Sequence, residues 1–291
     1  MFQKCTFIFL LFTVLWNYST AQYTHPSNIR ISLLTVDPGN RFYSVFGHSA
    51  IRVKIDSSIH SIFGHNFTRI DSSNHDMVYN FGMFSYNKPD FYYDFINGKM
   101  IFHMTREPYD EFISEHKRDN RGVREYVVAT DSAQAMFIFN YLENNRKNEN
   151  RYFQYNFFHD NCATRIRDLM LQTFYGMTLP ESKETLTYRD MFYLYLKNYP
   201  WVRFGIDIAF GLPLDHKTDI YEQMFLPDNM NDIFAKALFH RHPVVKETIN
   251  IFVSKPHGVQ QSATITPTVV CCFILALAIF FFYVKKRIES F

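Results

Sequence analysis

From Ser49 the chain alternates: Ile51, Val53 and Ile55 fall on one face of an extended strand, Ala50, Arg52 and Lys54 on the other. The same reading predicts strands over 28–34, 42–55, 77–82, 100–104 and 124–128. Asp37-Pro38-Gly39-Asn40 is a turn signal between the first two. His48 opens the alternating run and falls on the face opposite Ile51, Val53 and Ile55, unless Gly47 marks a bulge. Residues 57–75 are polar and rich in Asn and Ser, and read as a hairpin insertion. Helical spacing predicts 88–95 (after Pro89), 107–118 and 131–145. The last is capped by Asp131 or Thr130 and carries Ala135, Phe139 and Leu142 on one stripe. Beyond Thr173 the pattern turns helical throughout, over 187–197, 204–210, 220–224 and 230–239.

Between these two regimes lies Asp160-Asn161-Cys162-Ala163-Thr164-Arg165-Ile166-Arg167-Asp168. Ile166, Leu169 and Met170 give the spacing of a short amphipathic helix, and Asp160 or Asn161 would cap it. Cys162 then sits in the first helical turn. Unpaired N–H groups, the positive end of the dipole and the nearby Arg165 and Arg167 all favour a thiolate there. A buried structural cysteine fits the same segment.

The two ends are apolar. Lys4, the run 7–16 and Ser19-Thr20-Ala21 before Gln22 read as a signal peptide over 1–21. Residues 263–284 read as a transmembrane helix followed at once by Lys285, Lys286 and Arg287. Basic residues stay on the cytoplasmic side, which predicts a cytoplasmic tail over 285–291 and an exported domain. Residues 22–180 form the expected core, 181–242 its helical extension, and 243–262 a tether to the membrane.

Cysteine usage narrows the chemistry further. Of four cysteines, Cys5 leaves with the signal peptide and Cys271 and Cys272 lie in the membrane helix, so the exported domain keeps Cys162 alone. A disulfide framework is excluded there, and a lone thiol in an oxidising compartment is an oxidation liability. The formal net charge of +2 gives no polyanion signature, and no nucleic-acid motif, phosphate loop or metal-ligand spacing occurs. No cofactor or metal is expected. The 32 Phe and 19 Tyr fit a dense core, an apolar cleft or a surface near the bilayer.

Cys162 and His48 are the pair that chemistry selects, as nucleophile and base. Asn80, on the predicted adjoining strand, is the group placed to orient the ring. Asn161, Tyr43 and Asp160 are the oxyanion or orienting alternatives.

Six separated motifs carry a resemblance. They are Leu33-Leu34-Thr35-Val36-Asp37-Pro38-Gly39, Phe46-Gly47-His48-Ser49-Ala50-Ile51-Arg52-Val53, Tyr79-Asn80-Phe81-Gly82, the Cys162 segment, Phe204-Gly205-Ile206-Asp207-Ile208-Ala209-Phe210-Gly211-Leu212-Pro213 and Met224-Phe225-Leu226-Pro227. From about residue 29 to 239 the chain resembles the bacterial Lnb N-terminal periplasmic domain family. That family is similar, more distantly, to circularly permuted NlpC-type papain-like thiol hydrolases, in which the histidine strand precedes the cysteine helix. The resemblance implies an α+β fold, a permuted papain-like core with an antiparallel sheet and a helical C-terminal extension, to which the apolar run at 263–284 adds one transmembrane helix. With the apolar C-terminal run, it points to a single-pass protein of the bacterial inner membrane that acts as a cysteine hydrolase or acyltransferase on an envelope amide or ester bond. The substrate would be a lipid, a lipoprotein or a peptidoglycan peptide. The competing expectation is a non-catalytic envelope module that binds or helps mature a partner protein. A Cys162 buried far from His48 would favour it.

Overall fold

The computed structural model describes residues 29–39, 41, 44–55, 75–84, 90, 93–94, 97–181, 185–255 and 265–289. The expected signal peptide, the insertion at 57–74 and most of the short helix at 88–95 lie outside them.

Among the described residues an antiparallel seven-stranded sheet forms the frame, in the order β6-β4-β3-β2-β1-β5-β9. Its strands are β1 (Ile29–Val36), β2 (His48–Ile55), β3 (Asp76–Met83), β4 (Ile101–Pro108), β5 (Val123–Val128), β6 (Tyr152–Gln154) and β9 (Val245–Phe252). A two-stranded hairpin, β7 (Leu238–Phe239) with β8 (His242–Pro243), stands apart. The central β1 is buried on both faces, which is why its sequence alternates only in part. One face packs Ile31, Leu33, Ile51, Val53, Tyr79 and Phe81 against α2 (Ser132–Asn145) and α3 (Cys162–Thr173). The other packs Leu34, Val36, Ala50 and Val78 against Phe112 and Ile113 of α1 (Tyr109–Arg118). Asp131 and Gln134 form the capping box of α2.

The predicted strand 42–55 begins only at His48. Gly47 breaks it: its φ is +77°, and a Cβ there would lie 2.8 Å from the Val36 carbonyl oxygen. Glu107 and Pro108, expected in a helix, close β4 instead, so that α1 starts at Tyr109. The tether expected over 243–262 is corrected in its first part. Val245–Phe252 pairs with β5 as the edge of the main sheet, its charged Lys246 and Glu247 exposed as edge strands require.

The helical extension gathers α4 (Tyr188–Tyr195), α5 (Pro200–Phe210), a 3₁₀ turn (Leu212–Asp215), α6 (Ile220–Gln223) and α7 (Pro227–Lys236). Tyr188, Met191, Phe192, Ile206, Leu214, Phe225 and Leu226 form an apolar cluster of their own, apart from the one on the sheet. Helix α8 (Pro267–Glu289) includes a 22-residue stretch, Pro267–Ile288, long and apolar enough to cross a membrane.

Candidate active site

Cys162 is the first residue of α3, held there by its neighbour. Asn161 Oδ1 accepts from the N–H groups of Ala163 (2.8 Å) and Thr164 (2.9 Å), and Thr164 Oγ1 accepts from Asn161 N–H (2.8 Å). The Asn161 amide donates to the carbonyls of Phe157 (2.7 Å) and Phe225 (3.0 Å). Both of its amide hydrogens are therefore engaged, and the expected oxyanion role does not fit it; Asn161 caps the helix and ties it to the extension. Asp160 is likewise taken, by a bidentate pair with Arg165 (2.6 and 2.8 Å). Tyr43 lies outside the described residues.

Three predicted residues do come together. Cys162 and His48 line the same cleft, and the backbone N–H of Ser49, next to His48, hydrogen-bonds the Cys162 sulfur. His48 Nε2 lies 2.7 Å from Asn80 Oδ1. The Gly82 N–H also donates to that atom, at 3.1 Å. A backbone N–H only donates, so the Asn80 atom is the carbonyl oxygen, and the imidazole nitrogen facing it carries a proton. That fixes the tautomer: Nε2 is protonated and Nδ1 keeps its lone pair. Asn80 is itself oriented, since its side chain hydrogen-bonds the half-buried Glu107 carboxylate on β4. Gly82 lies against the ring, where a Cβ would come 2.5 Å from His48 Cε1.

The electrostatics depart from the expected thiolate. Burial pushes the Cys162 thiol up, more than the N–H groups of Ser49, Ala163 and Cys162 itself and the charge of Arg121 bring it down. Burial, with Arg121 second, lowers His48 to about 4 against the pull of Asn80. Both groups rest neutral, a thiol and an imidazole lining one cleft. Arg165 and Arg167 do not supply the expected positive field: Arg165 pairs with Asp160, and Arg167 pairs with Asp168 at 2.8 Å and stacks on Tyr221. Arg121 does, from the loop before β5, its Nε donating to the Asp37 carbonyl at 2.9 Å.

Sequence reading missed Arg121, Glu107 and Tyr155. Tyr155 lines the cleft and stacks on Phe102 with ring centroids 4.1 Å apart. Its phenol is held protonated, chiefly by burial. Its only signal in the sequence is its place in the aromatic run just ahead of the cysteine helix.

The cleft holds about 860 Å³ free of protein atoms, its open mouth included. Phe84, Phe102 and Tyr155 line it on the sheet side, and Phe192, Ile206, Phe210 and Phe225 on the side of the extension. Among the described residues that line it, the side chains with hydrogen-bonding groups are those of Tyr155, Cys162, His48 and Asn161. Among the described residues no group of three His, Cys, Asp or Glu is placed to hold a metal ion.

The family described as the Lnb N-terminal periplasmic domain matches residues 17–193, more than half of the 291 residues, and the chain belongs to it. The match takes in His48, Asn80 and Cys162. It begins within the expected signal peptide and ends in α4, so the motifs at 204–213 and 224–227 lie outside it, although they were expected to carry the resemblance as well. No curated protein and no solved structure matches the chain. The family description and the apolar C-terminal helix fit a single-pass membrane protein with a periplasmic domain.

Proposed function

We propose that this member of the Lnb N-terminal periplasmic domain family is a thiol-dependent acyl hydrolase or acyltransferase of the cell envelope, with Cys162 as nucleophile and His48 as base. The observation that carries this reading is a tautomer-fixed His48 and Cys162 lining one aromatic cleft. The order of histidine strand and cysteine helix resembles that of permuted papain-like hydrolases, and Asn80 matches by position the polar residue that orients the histidine there.

The reaction runs in two halves. Nδ1 of His48 takes the Cys162 proton as the sulfur attacks an acyl carbonyl carbon. The oxyanion meets the Tyr155 hydroxyl and the N–H groups of Ser49 and Cys162. The tetrahedral intermediate collapses, the ester or amide bond breaks, and the leaving group takes the proton from His48. Water or an acceptor amine or hydroxyl then attacks the thioester, gives its proton to His48, and releases Cys162 as the thiol. Proton transfer accompanies attack because the resting pair is neutral. A cleft walled by phenylalanine favours a fatty acyl group over a polar wall peptide. The membrane helix keeps the site beside such lipids. The bilayer in question is the inner membrane, with the C-terminus in the cytoplasm.

The test is intact-mass analysis of the full chain after incubation with phospholipid vesicles or p-nitrophenyl acyl esters. The expected result is a hydroxylamine-labile acyl adduct on Cys162, absent in Cys162→Ala and slowed at least about 10³-fold in His48→Ala. An unmodified Cys162 with every acyl donor, or an adduct indifferent to His48, would sink the reading in favour of a partner-binding module.

A further inference from the structure

Helix α5 is apolar on two opposite sides. One side, with Ile206 and Phe210, lines the cleft. The other carries Trp201, Phe204 and Ile208, continued by Leu212 just past the helix end, and these are 45, 38, 68 and 84% exposed. Spacings of three and four residues bring Trp201, Phe204 and Ile208 onto a single stripe, and Leu212 follows Gly211, whose φ of +57° ends the helix. The polar side chains between the two faces are already engaged. Arg203 stacks on the Tyr193 ring at 3.4 Å, and Asp207 pairs with Arg189 and accepts from the Tyr193 hydroxyl. They fix the helix sideways and leave the stripe facing outward, a continuous apolar surface that water does not favour.

A second observation says what covers it. Trp201 Nε1 donates to the Ile265 carbonyl at 2.9 Å, and Ile265 lies two residues before the start of α8. The beginning of α5 is thereby held at the level where the membrane-crossing stretch begins. Tryptophan at that level is the side chain that interfaces favour. An apolar stripe on one short helix, with its other flank packed on protein, has the form of an interfacial segment.

We propose that α5 lies in the plane of the bilayer that α8 crosses, with Trp201, Phe204, Ile208 and Leu212 set into the boundary between headgroups and acyl chains. The cleft is then separated from the lipid by the thickness of one helix. This does not depend on the chemistry of Cys162.

Tryptophan depth quenching tests it on the full chain in phosphatidylethanolamine–phosphatidylglycerol vesicles. Trp16→Phe leaves Trp201 as the single tryptophan. Lipids brominated near the headgroup should quench Trp201 more than lipids brominated at mid-chain. Proximity to α8 alone would give that result at Trp201, so the far end of the helix decides. Ile208→Trp and, separately, Leu212→Trp are made in a background where Trp16 and Trp201 are both phenylalanine. Each should show a blue-shifted emission that the shallow bromines quench most. Both positions are largely exposed, so either variant serves if the other misfolds. Red-shifted, unquenched emission at both would overturn the proposal. So would a blue shift that follows protein density rather than bromine, because a second copy would then be covering the stripe.

Discussion

The sheet side of the cleft and its helical side are built on different terms. The sheet side brings Cys162 and His48, with Asn80 and Glu107 behind them, each placed by a hydrogen bond to a strand or a helix end. The helical side brings Phe192, Ile206, Phe210, Phe225, Leu226 and Pro227, with no titratable group among the described residues. Its rings meet edge-on or tilted, as in the 5.2 Å contact of Phe157 with Phe192. Proton transfer needs a donor and acceptor held to a fraction of an ångström, whereas an apolar wall needs only shape and volume. Changes on the first side should therefore alter rate, and changes on the second should alter which substrate is taken.

The largest effect is expected from disturbing His48 without touching it. Asn80→Ala removes the acceptor that fixes the ring tautomer, and loss of the corresponding partner in a catalytic triad costs up to ~10⁴-fold. Gly82→Ala places a methyl where the His48 ring now lies and should cost ~10²-fold through misplacement alone. Both should lower kcat with acetyl and long-chain esters alike, and circular dichroism should be unchanged. A loss confined to long chains would move these residues to the binding wall.

Phe210→Ala breaks the comparison from the other side. It removes a ring from the cleft without touching the dyad. Each methylene seated in such a pocket is worth ~10-fold or more in discrimination. We expect kcat/KM for a dodecanoyl ester to fall by about that factor and the acetyl ester to be unaffected. An equal fall for both would mean that the helical wall also positions the dyad.

Much of the sheet side was legible in the sequence. Alternation marked β2, the helix-start pattern marked Cys162, and Asn80 fell on the adjoining strand. What was not legible depends on contacts distant in sequence. The saturation of Asn161 rests on the Phe225 carbonyl, supplied by another part of the fold. Arg121 sits in an ordinary polar loop, and only the packing of that loop against the Asp37 turn brings its charge to the dyad. The thiolate expectation failed for a related reason. Helix-end N–H groups are visible in a sequence, but the burial that outweighs them is not. The β9 strand was read as a tether because an exposed edge strand carries polar residues much as a linker does.

The pH profile measures how far that burial governs the chemistry. As the proposed base, His48 acts when neutral, and burial with Arg121 keeps it neutral down to about 4. The acid limb of kcat/KM should therefore lie well below the ordinary histidine value of about 6.5. Arg121→Gln removes one of the two influences that lower it, so the limb should move toward neutrality. A limb already at the ordinary value in the unaltered protein would show a hydrated dyad and remove the ground for concerted proton transfer.

The smallest effect separates two neighbours. Asn161 joins the two sides, because its amide spans from the cysteine helix to the Phe225 carbonyl. Asp160 only pairs with Arg165 on the same segment, and both are partly exposed, at 36 and 22%. Water and salt screen such a pair, so Asp160→Asn should cost no more than ~1 kcal/mol and leave turnover unchanged. Asn161→Ala removes the helix cap, worth ~1–2 kcal/mol, and also leaves two carbonyls without their donor. Urea midpoints compared at equal m-value measure the difference. A drop for Asp160→Asn as large as that for Asn161→Ala would mean that the Arg165 pair, rather than the capping amide, holds Cys162 against the helical wall.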